Sequence, residues 1–321
     1  MGGNAIKMSR RYAAAEYYVA QKEIENILKQ ANVCYYFVRP YSQKDSFGDM
    51  DILIQKEEDA HYRNKIVQLF SYQEIHKSGD VWSINYEKLQ VDFIFVNKRE
   101  WELSKYFFDF NDLGALVGKI ARFHKLKFGF QGLEFELYYR EKKAEFLISL
   151  EPEKIFDFLG FDVARYQQGF ETLEEVFQYV VDSRYYNHAT FEKVLEKEGQ
   201  RTTDTQRPSY QRFLKYIENH RVELQRPDVE DVLQRVDAYF DTNLQTQIAE
   251  KKAEIDLDIL VHEKFNGHHV IAHLGLEGKE LGATMQKFHA SFADKQAKQA
   301  FILNNSLEEI LTYLKKIRAS E

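Results

Sequence analysis

Apolar and polar residues alternate along the first hundred positions with periods that predict both helices and strands. Between residues 13 and 30, apolar residues recur every three or four positions, which predicts a helix. Residues 33–40 are β-branched and aromatic and stop at Pro40, which predicts a strand followed by a loop. The apolar run at 50–55 predicts a second strand.

The pattern continues with a helix and a pair of strands. Residues 60–70 have helical periodicity, and residues 81–97 (VWSINYEKLQVDFIFVN) predict two strands joined by a polar turn at Glu87 and Lys88. This order of helices and strands predicts an α+β domain with a mixed or antiparallel sheet and flanking helices. We predict that this domain occupies residues 1–105.

The rest of the chain is mainly helical. Helices are predicted at 113–125 and 151–160, on either side of a hairpin formed by strands at 127–139 and 145–150. Further helices are predicted at 171–186, 189–199, 209–220, 228–255 and 306–318, with an exposed loop at 199–209. We predict a small α/β domain over 106–165 and a helical domain over 166–321.

The net charge, the single cysteine and the lack of long apolar runs limit the classes of function that the chain can have. The net charge of −7 gives no overall basic surface for nucleic acid, so any such contact has to be local. The apolar neighbours of Cys34 predict a small core residue rather than a nucleophile. No uncharged apolar run approaches the roughly 20 residues of a membrane span, and the first residues lack an apolar secretion segment. We therefore expect a cytoplasmic protein without membrane contact.

Three carboxylates stand in predicted strands of the first domain. Residues i and i+2 of a strand share a face, so Asp49 and Asp51 present their carboxylates side by side. Asp92 lies in the middle of an otherwise apolar strand, where an unpaired acid costs several kcal/mol. The three residues predict a site at which a cation compensates the negative charges.

The chemistry of these side chains predicts Mg²⁺ or Mn²⁺ as the cation. Hard divalent cations prefer carboxylate oxygens and share them with substrate phosphates. In a two-metal arrangement, one ion holds a nucleoside triphosphate and the other activates an attacking hydroxyl. Asp256 and Asp258 are also two residues apart, as Asp49 and Asp51 are, but they precede a helical run. N-capping and a solvated face therefore explain them better than a metal site does.

The segment KDSFGDMDIL resembles the palm motif of the DNA polymerase β-like nucleotidyltransferases, and within them that of the family X polymerases. The family pattern is GSxRRGxExxGDIDIL, and its second half is matched by Lys44, Asp45, Ser46, Gly48, Asp49, Asp51, Ile52 and Leu53. Val91 and Asp92 match the strand that carries the third acid. The resemblance implies a nucleotidyltransferase palm with Asp49, Asp51 and Asp92 as catalytic metal ligands.

The resemblance covers residues 33–162. Tyr106 and Phe107 match a Tyr-Phe pair near the nucleotide, and residues 120–137 with 151–161 resemble the thumb of the family. A thumb-like domain is therefore implied. Its candidates for contact with nucleic acid are Lys119, Arg122, Lys125 and Lys127, and His124 belongs to the same basic group.

The chain departs from the family where the phosphates bind. Val38, Arg39 and Pro40 replace the family's Gly-Ser, so charge and hydroxyl donors make Arg39, Ser42 and Lys44 the candidate phosphate ligands. The full set of candidate nucleotide-binding residues is Arg39, Ser42, Lys44, Ser46, Gly48, Tyr106 and Phe107. The family's Thr-Gly-Ser is replaced by Phe108, Asp109 and Phe110, and the thumb arginine by Gly118, which leaves the choice of sugar open.

The helical region contains a second resemblance. Residues 265–288 resemble the tail of tRNA CCA-adding enzymes and poly(A)-type transferases, although a structural helical hairpin explains them equally well. Four histidines lie in or beside this segment: His262, His268, His269 and His273. Roles as helix caps or surface residues explain them better than binding of a zinc ion. A second basic group comprises Arg201, Arg207 and Arg212, and Tyr210 beside it is a candidate for stacking on a nucleic-acid base. Such a run of charges is more typical of a solvated surface.

The expected function is transfer of a nucleoside monophosphate from an NTP or dNTP to the 3′ hydroxyl of a nucleic acid, with Mg²⁺ or Mn²⁺. The alternative acceptor is a hydroxyl of a protein or a small molecule, which the acidic charge of the chain favours. A non-catalytic nucleotide-binding module is a further alternative, because the Gly-Ser pair is missing. The acceptor, the nucleotide, template dependence and oligomeric state stay open.

Overall fold

The computed structural model describes residues 5–192 and 207–319. The strands are β1 (Tyr12–Ala13), β2 (Tyr35–Phe37), β3 (Ser46–Phe47), β4 (Asp49–Gln55), β5 (Ile75–Ser78), β6 (Val81–Tyr86), β7 (Leu89–Val96), β8 (Leu126–Gly129), β9 (Gly132–Tyr139) and β10 (Lys142–Ser149). The first helices are α1 (Ala14–Gln30), α2 (Tyr62–Gln68), α3 (Trp101–Phe108), α4 (Leu113–Phe123), α5 (Pro152–Phe158), α6 (Val163–Gln168), α7 (Leu173–Val181) and α8 (Ala189–Glu192). The later helices are α9 (Pro208–Ile217), α10 (Val229–Phe240), α11 (Leu244–Lys264), α12 (Gly267–Leu274), α13 (Gly278–Ala290), α14 (Lys295–Asn304) and α15 (Leu307–Ala319).

The fold is α+β and centres on a mixed five-stranded sheet with the order β2-β4-β7-β6-β5. Strands β4 and β7 are parallel, and the other neighbours in this sheet are antiparallel. The predicted α+β class and mixed sheet are therefore confirmed. In the parallel pair, Asp51 lies directly opposite Asp92 and Asp49 lies opposite Gln90.

The two faces of this sheet are covered differently. Helix α1 packs on one face, where its buried residues at positions 17, 20, 24 and 28 contact a core that includes Met50, Ile52 and Phe93. The spacing of three and four residues places these side chains on a single helical stripe. On the opposite face, Leu53, Ile94 and Val96 pack with Trp101, and the three carboxylates lie on the same face.

Local chemistry explains where the strand predictions succeeded and where they were wrong. Glu87 and Lys88 both have positive φ (49° and 72°), as a two-residue hairpin turn requires, so the predicted turn is confirmed. β5 was not predicted, because its sequence IHKS is a largely exposed edge strand without apolar alternation. Cys34 is exposed just before β2, so its prediction as a core residue was wrong.

Later elements also differ from the predictions. The predicted hairpin after α4 is part of a three-stranded sheet with the order β10-β9-β8. The helix predicted at 228–255 is two helices, because Asp241 has a left-handed backbone (φ 54°) that ends α10. Much of the helix predicted at 189–199 and of the loop at 199–209 lies outside the described residues.

The chain divides into two compact units. Unit 1 comprises Met1–Glu136 and Glu145–Thr242, and unit 2 comprises Leu137–Ala144 and Asn243–Glu321. In unit 2, α12 and α13 are separated by a turn at Gly275 (φ 65°), so the segment 265–288 contains two helices joined by a glycine turn. Within the described residues, no helix combines the length and apolar character needed to cross a bilayer.

Candidate active site

Three carboxylates share one face of the five-stranded sheet. Asp51 and Asp92 are direct neighbours on β4 and β7, and Asp49 precedes Asp51 by two residues on the same face. The apolar residues that follow in β4 hold this register, because a shift by one residue would turn them away from the core. The strand pairing thus brings together the three carboxylates that the sequence singled out.

Burial changes the ionisation of two of these carboxylates, those of Asp51 and Asp92. Burial, together with Asp49 and Asp92, raises the pKa of Asp51 to about 8. Burial also raises the pKa of Asp92, against the opposing effect of a hydrogen bond from Ser83. Gln90 donates to both carboxylate oxygens of Asp92, at 2.9 and 3.0 Å. A bound cation would favour the charged forms of both acids.

The donor set fits Mg²⁺ or Mn²⁺ in its chemistry. Among the described residues, no group of three or more His, Cys, Asp or Glu side chains is arranged so that it could hold a metal ion by itself. Mg²⁺ is commonly held by one or two carboxylates, with water and substrate phosphates as the remaining ligands. Asp51 and Asp92, with Asp49 beside them, can supply those one or two carboxylates.

The carboxylates line a cleft of about 610 Å³ in unit 1. Its cationic lining residues are Arg39, Lys44, Lys127 and Arg207, and its aromatic ones are Tyr17, Phe47, Phe107, Phe108 and Phe130. An acidic floor beside cations and aromatic rings suits a ligand that carries phosphates and a planar base.

Arg39 is held in the cleft by a buried acid that the sequence analysis noted only as a departure from the family. Asp109 is fully buried and accepts from the backbone N–H of Arg39 (2.8 Å) and from its Nε (2.6 Å). The hydroxyls of Tyr36 and Tyr166 also donate to Asp109, at 2.9 and 3.3 Å. The guanidinium lies over the ring of Phe110, 4.8 Å from its centroid. These contacts fix the position of a cation at the cleft.

Lys44 provides a second cation near the carboxylates. Burial lowers its pKa, while Asp49 and Asp51 act in the opposite direction. Its Nζ lies 3.4 Å from Asn111 Oδ1 and 4.8 Å from the ring centroid of Phe47. A phosphate entering the cleft would favour the charged form of this amine.

Phe107 and two further phenylalanines form an aromatic wall of the cleft. Phe130 lies 5.9 Å from Phe107 and 5.5 Å from Phe108 between ring centroids. Gly114 of α4 permits this placement, since a methyl group there would overlap the carbonyl oxygen of Phe107. The sequence analysis missed Phe130, and only its place in the turn between β8 and β9 brings it here.

The other predicted nucleotide-binding residues lie elsewhere. Tyr106 is not among the cleft residues; its ring stacks on Tyr166 at 4.3 Å between centroids. Ser42 is exposed, and its backbone N–H donates to Phe170. Ser46 Oγ accepts from Arg11 at 3.1 Å, and Gly48 joins β3 to β4. Of the seven predicted nucleotide-binding residues, the cleft thus includes Arg39, Lys44 and Phe107.

The predicted nucleic-acid contacts are largely matched by acids of the neighbouring hairpin. Arg122 pairs with Glu136, and Lys127 pairs with Glu134 (2.7 Å) and Glu145 (3.3 Å). Lys119 lies over the Tyr210 ring at 5.0 Å, and Lys125 has a positive φ of 62° at the end of α4. This surface therefore carries nearly balanced charge rather than a basic patch.

Other interpretations of side chains need correction. His124 is buried and cannot reach a nucleic-acid backbone, so its place among the basic residues was wrong. Tyr210 is buried and donates to Phe191, so it offers no face to a base. Asp256 and Asp258 lie inside α11 and pair with Arg140 and Lys295 within unit 2, so they do not cap a helix.

The remaining members of the second basic group are paired or undescribed. Arg207 pairs with Asp112 at 2.7 Å and lines the cleft, a role that its position in the sequence did not suggest. Arg212 pairs with Glu174 at 2.7 Å. Arg201 lies outside the described residues.

Replacing Arg39 by Lys is expected to weaken about tenfold the binding of any ligand whose phosphates enter this cleft, because Lys cannot form the planar contacts of a guanidinium with phosphate. The Lys variant keeps a positive charge beside buried Asp109, whereas Arg39→Ala would remove that charge and leave the acid with hydrogen bonds from the backbone of residue 39 and two tyrosines. Fluorescent-nucleotide titration of both proteins measures the effect. Unchanged affinity would mean that Arg39 only neutralises Asp109.

The cleft combines carboxylates, cations and an aromatic wall, and all of these residues belong to unit 1. Its chemistry is the basis for assigning a function. A scan of the chain against protein-family models gave no match, and a search of curated proteins gave no match either.

Proposed function

We propose that the chain is a divalent-metal-dependent nucleotidyltransferase with its active site in the cleft of unit 1. The observation that carries this proposal is the direct pairing of Asp51 with Asp92 on parallel strands, with Asp49 on the same face. The raised pKa values of Asp51 and Asp92 are a cost that a bound cation would offset, and Arg39 and Lys44 are among the cationic residues that line the same cleft. Under this proposal, residues 1–105 form a nucleotidyltransferase palm and 106–165 a thumb-like domain.

Each group in the cleft has a role in this chemistry. Arg39 and Lys44 bind the triphosphate, because both are cations that line the cleft, and buried Asp109 holds Arg39 in place. The aromatic wall of Phe107, Phe108 and Phe130 packs against the base or sugar. Divalent metal would supply charge neutralisation and Lewis acidity at the phosphates. Asp49, Asp51 and Asp92 would hold it.

The reaction is an in-line displacement at phosphorus. The acceptor hydroxyl oxygen forms a bond to the α-phosphorus, the bond from the α-phosphorus to the bridging oxygen breaks, and pyrophosphate leaves. Asp92 helps to take the hydroxyl proton, because it lies directly beside Asp51 on the same face of the sheet. The cations beside the triphosphate stabilise the charge that develops on the leaving group.

The first candidate acceptor is the 3′ hydroxyl of a nucleic acid, as the thumb-like sequence implies. A hydroxyl of a protein or small molecule is the second candidate, and the ion pairs of Arg122 and Lys127 favour it. Acids that neutralise these cations reduce the attraction for a polyanion. The two candidate reactions use the same nucleotide site and differ only in the acceptor whose hydroxyl enters it.

An acceptor panel tests the proposal. The protein is incubated with Mg²⁺ or Mn²⁺, each labelled NTP and dNTP, and single-stranded DNA, gapped duplex DNA or a tRNA-like RNA. A product ladder that disappears with EDTA is expected for a nucleic-acid acceptor, and label on protein or on a small molecule for the second candidate. Metal-dependent nucleotide binding without any labelled product would indicate a non-catalytic module, and no binding at all would contradict the proposal.

A further inference from the structure

Gln90 joins the catalytic face of the sheet to the N-terminal segment. It is fully buried on β7, opposite Asp49 and two residues before Asp92. Its Nε2 donates to both oxygens of Asp92, at 2.9 and 3.0 Å. Its Oε1 accepts from the backbone N–H groups of Ala5 (3.0 Å) and Ile6 (3.2 Å).

These four hydrogen bonds use the full capacity of the side-chain amide. A glutamine amide has two N–H donors and an oxygen with two lone pairs, and each of them has a partner here. Turning the amide over would place its oxygen against the carboxylate and its N–H groups against two backbone donors. The backbone of residues 5 and 6 therefore determines which end of Gln90 faces Asp92.

Residues 5–8 are anchored to the same part of unit 1 by further contacts. Ile6 is 2% exposed, and the N–H groups of Lys7 and Met8 donate to Glu74 at 3.1 and 3.3 Å. Glu74 in turn donates its own N–H to Asn85 Oδ1 at 3.3 Å. The segment is thus docked on the sheet at two successive acceptors, Gln90 and Glu74.

We propose that Gln90 is a positioning residue that couples docking of residues 5–8 to the orientation of Asp92, and through Asp92 to divalent-metal affinity. The inference rests on the proposed function. A neutral donor orients the carboxylate and leaves its negative charge available for a cation. An arginine or lysine at position 90 would neutralise that negative charge instead. Because coupling between two sites is reciprocal, metal binding must also tighten the docking of the segment.

The test compares metal binding with hydrogen exchange in wild type and Gln90→Met, a replacement of similar length that lacks the amide. Calorimetry with Mn²⁺ is expected to show affinity at least about tenfold weaker in the variant, as for other residues that orient metal ligands. In wild type, Mg²⁺ is expected to slow exchange of the Ala5 and Ile6 amides, and in the variant it should not. Gln55→Met, at the opposite end of β4, is the matched control.

The outcomes separate this inference from the proposed function. Wild type that binds neither Mg²⁺ nor Mn²⁺ would overturn both. Wild type that binds metal while Gln90→Met binds equally well, or while residues 5 and 6 exchange unchanged, would overturn the coupling alone. If Gln90→Met does not fold, Glu74→Ala removes the second anchor without touching Asp92, and a severalfold loss of Mn²⁺ affinity is expected. Unchanged affinity in that variant would contradict the coupling.

Discussion

Asp51→Asn is expected to abolish nucleotide transfer and, in metal-free protein, to raise the free energy of unfolding. Under the proposed function, the activity falls by at least about 10³-fold, because one of the three carboxylates that would hold the metal is lost. The stability rises because burial and two neighbouring acids make the charged form of Asp51 unfavourable, and a neutral amide removes that cost. Opposite changes in activity and stability are typical of residues retained for function.

The pH dependence of stability gives the same prediction a second readout. The pKa of Asp51 is about 8 in the folded protein and about 4 in the unfolded chain, so the folded state binds its proton more tightly. Metal-free stability is therefore expected to fall as pH rises from about 4 to about 8. In Asp51→Asn this fall should be smaller, and saturating Mg²⁺ should reduce it in wild type.

Urea unfolding with EDTA at pH 5 and pH 8 measures the effect, alongside the transfer assay. Asp231→Asn, an exposed carboxylate in the first turn of α10, is the matched control and should change neither quantity much. An Asp51→Asn protein with full transfer activity would remove Asp51 from the catalytic group. Equal stability of the two proteins at both pH values would contradict the proposed cost of its charge.

His124 is expected to make unit 1 sensitive to acid. It is 4% exposed, and both ring nitrogens are without a hydrogen-bond partner among the described residues. Its ring packs against Tyr185 at 4.5 Å between centroids. Burial, and to a lesser extent the charge of Arg235, lowers its pKa from 6.5 to about 4. Protonation would place an unpaired charge in this packed position.

The sign of the effect follows from the two pKa values. Between about pH 6.5 and 4 the unfolded chain binds a proton at His124 and the folded protein does not, so stability falls as the pH is lowered. The loss approaches about 3 kcal/mol at pH 4. His124→Met should remove this loss and fit the apolar surroundings.

Urea titrations at pH 7 and pH 4.5 test the prediction, with His76→Met as the control because His76 is exposed on β5. The expected result is a larger gain in stability for His124→Met at the lower pH than at the higher one. A parallel shift at both pH values would show that packing, and not ionisation, sets the contribution of His124.

The sequence predicted those features that depend on neighbouring residues. The stripe at positions 17, 20, 24 and 28 of α1, the turn at Glu87 and Lys88 and the shared face of Asp49 and Asp51 follow from local backbone periods. Edge strand β5 and the break at Asp241 were missed, because neither carries an apolar pattern strong enough to fix it. Local periodicity was thus a sound guide to elements and a poorer one to their boundaries.

The sequence by itself determined that the chain is α+β and that three acids stand in strands of its first domain. Only the tertiary structure decided what surrounds them. Strand order and register placed Asp92 beside Asp51, packing placed Asp109 beneath Arg39, and hairpin acids neutralised Arg122 and Lys127. These partners are far apart along the chain, so their contacts depend on burial and pairing across the whole fold, which no local pattern of residues specifies.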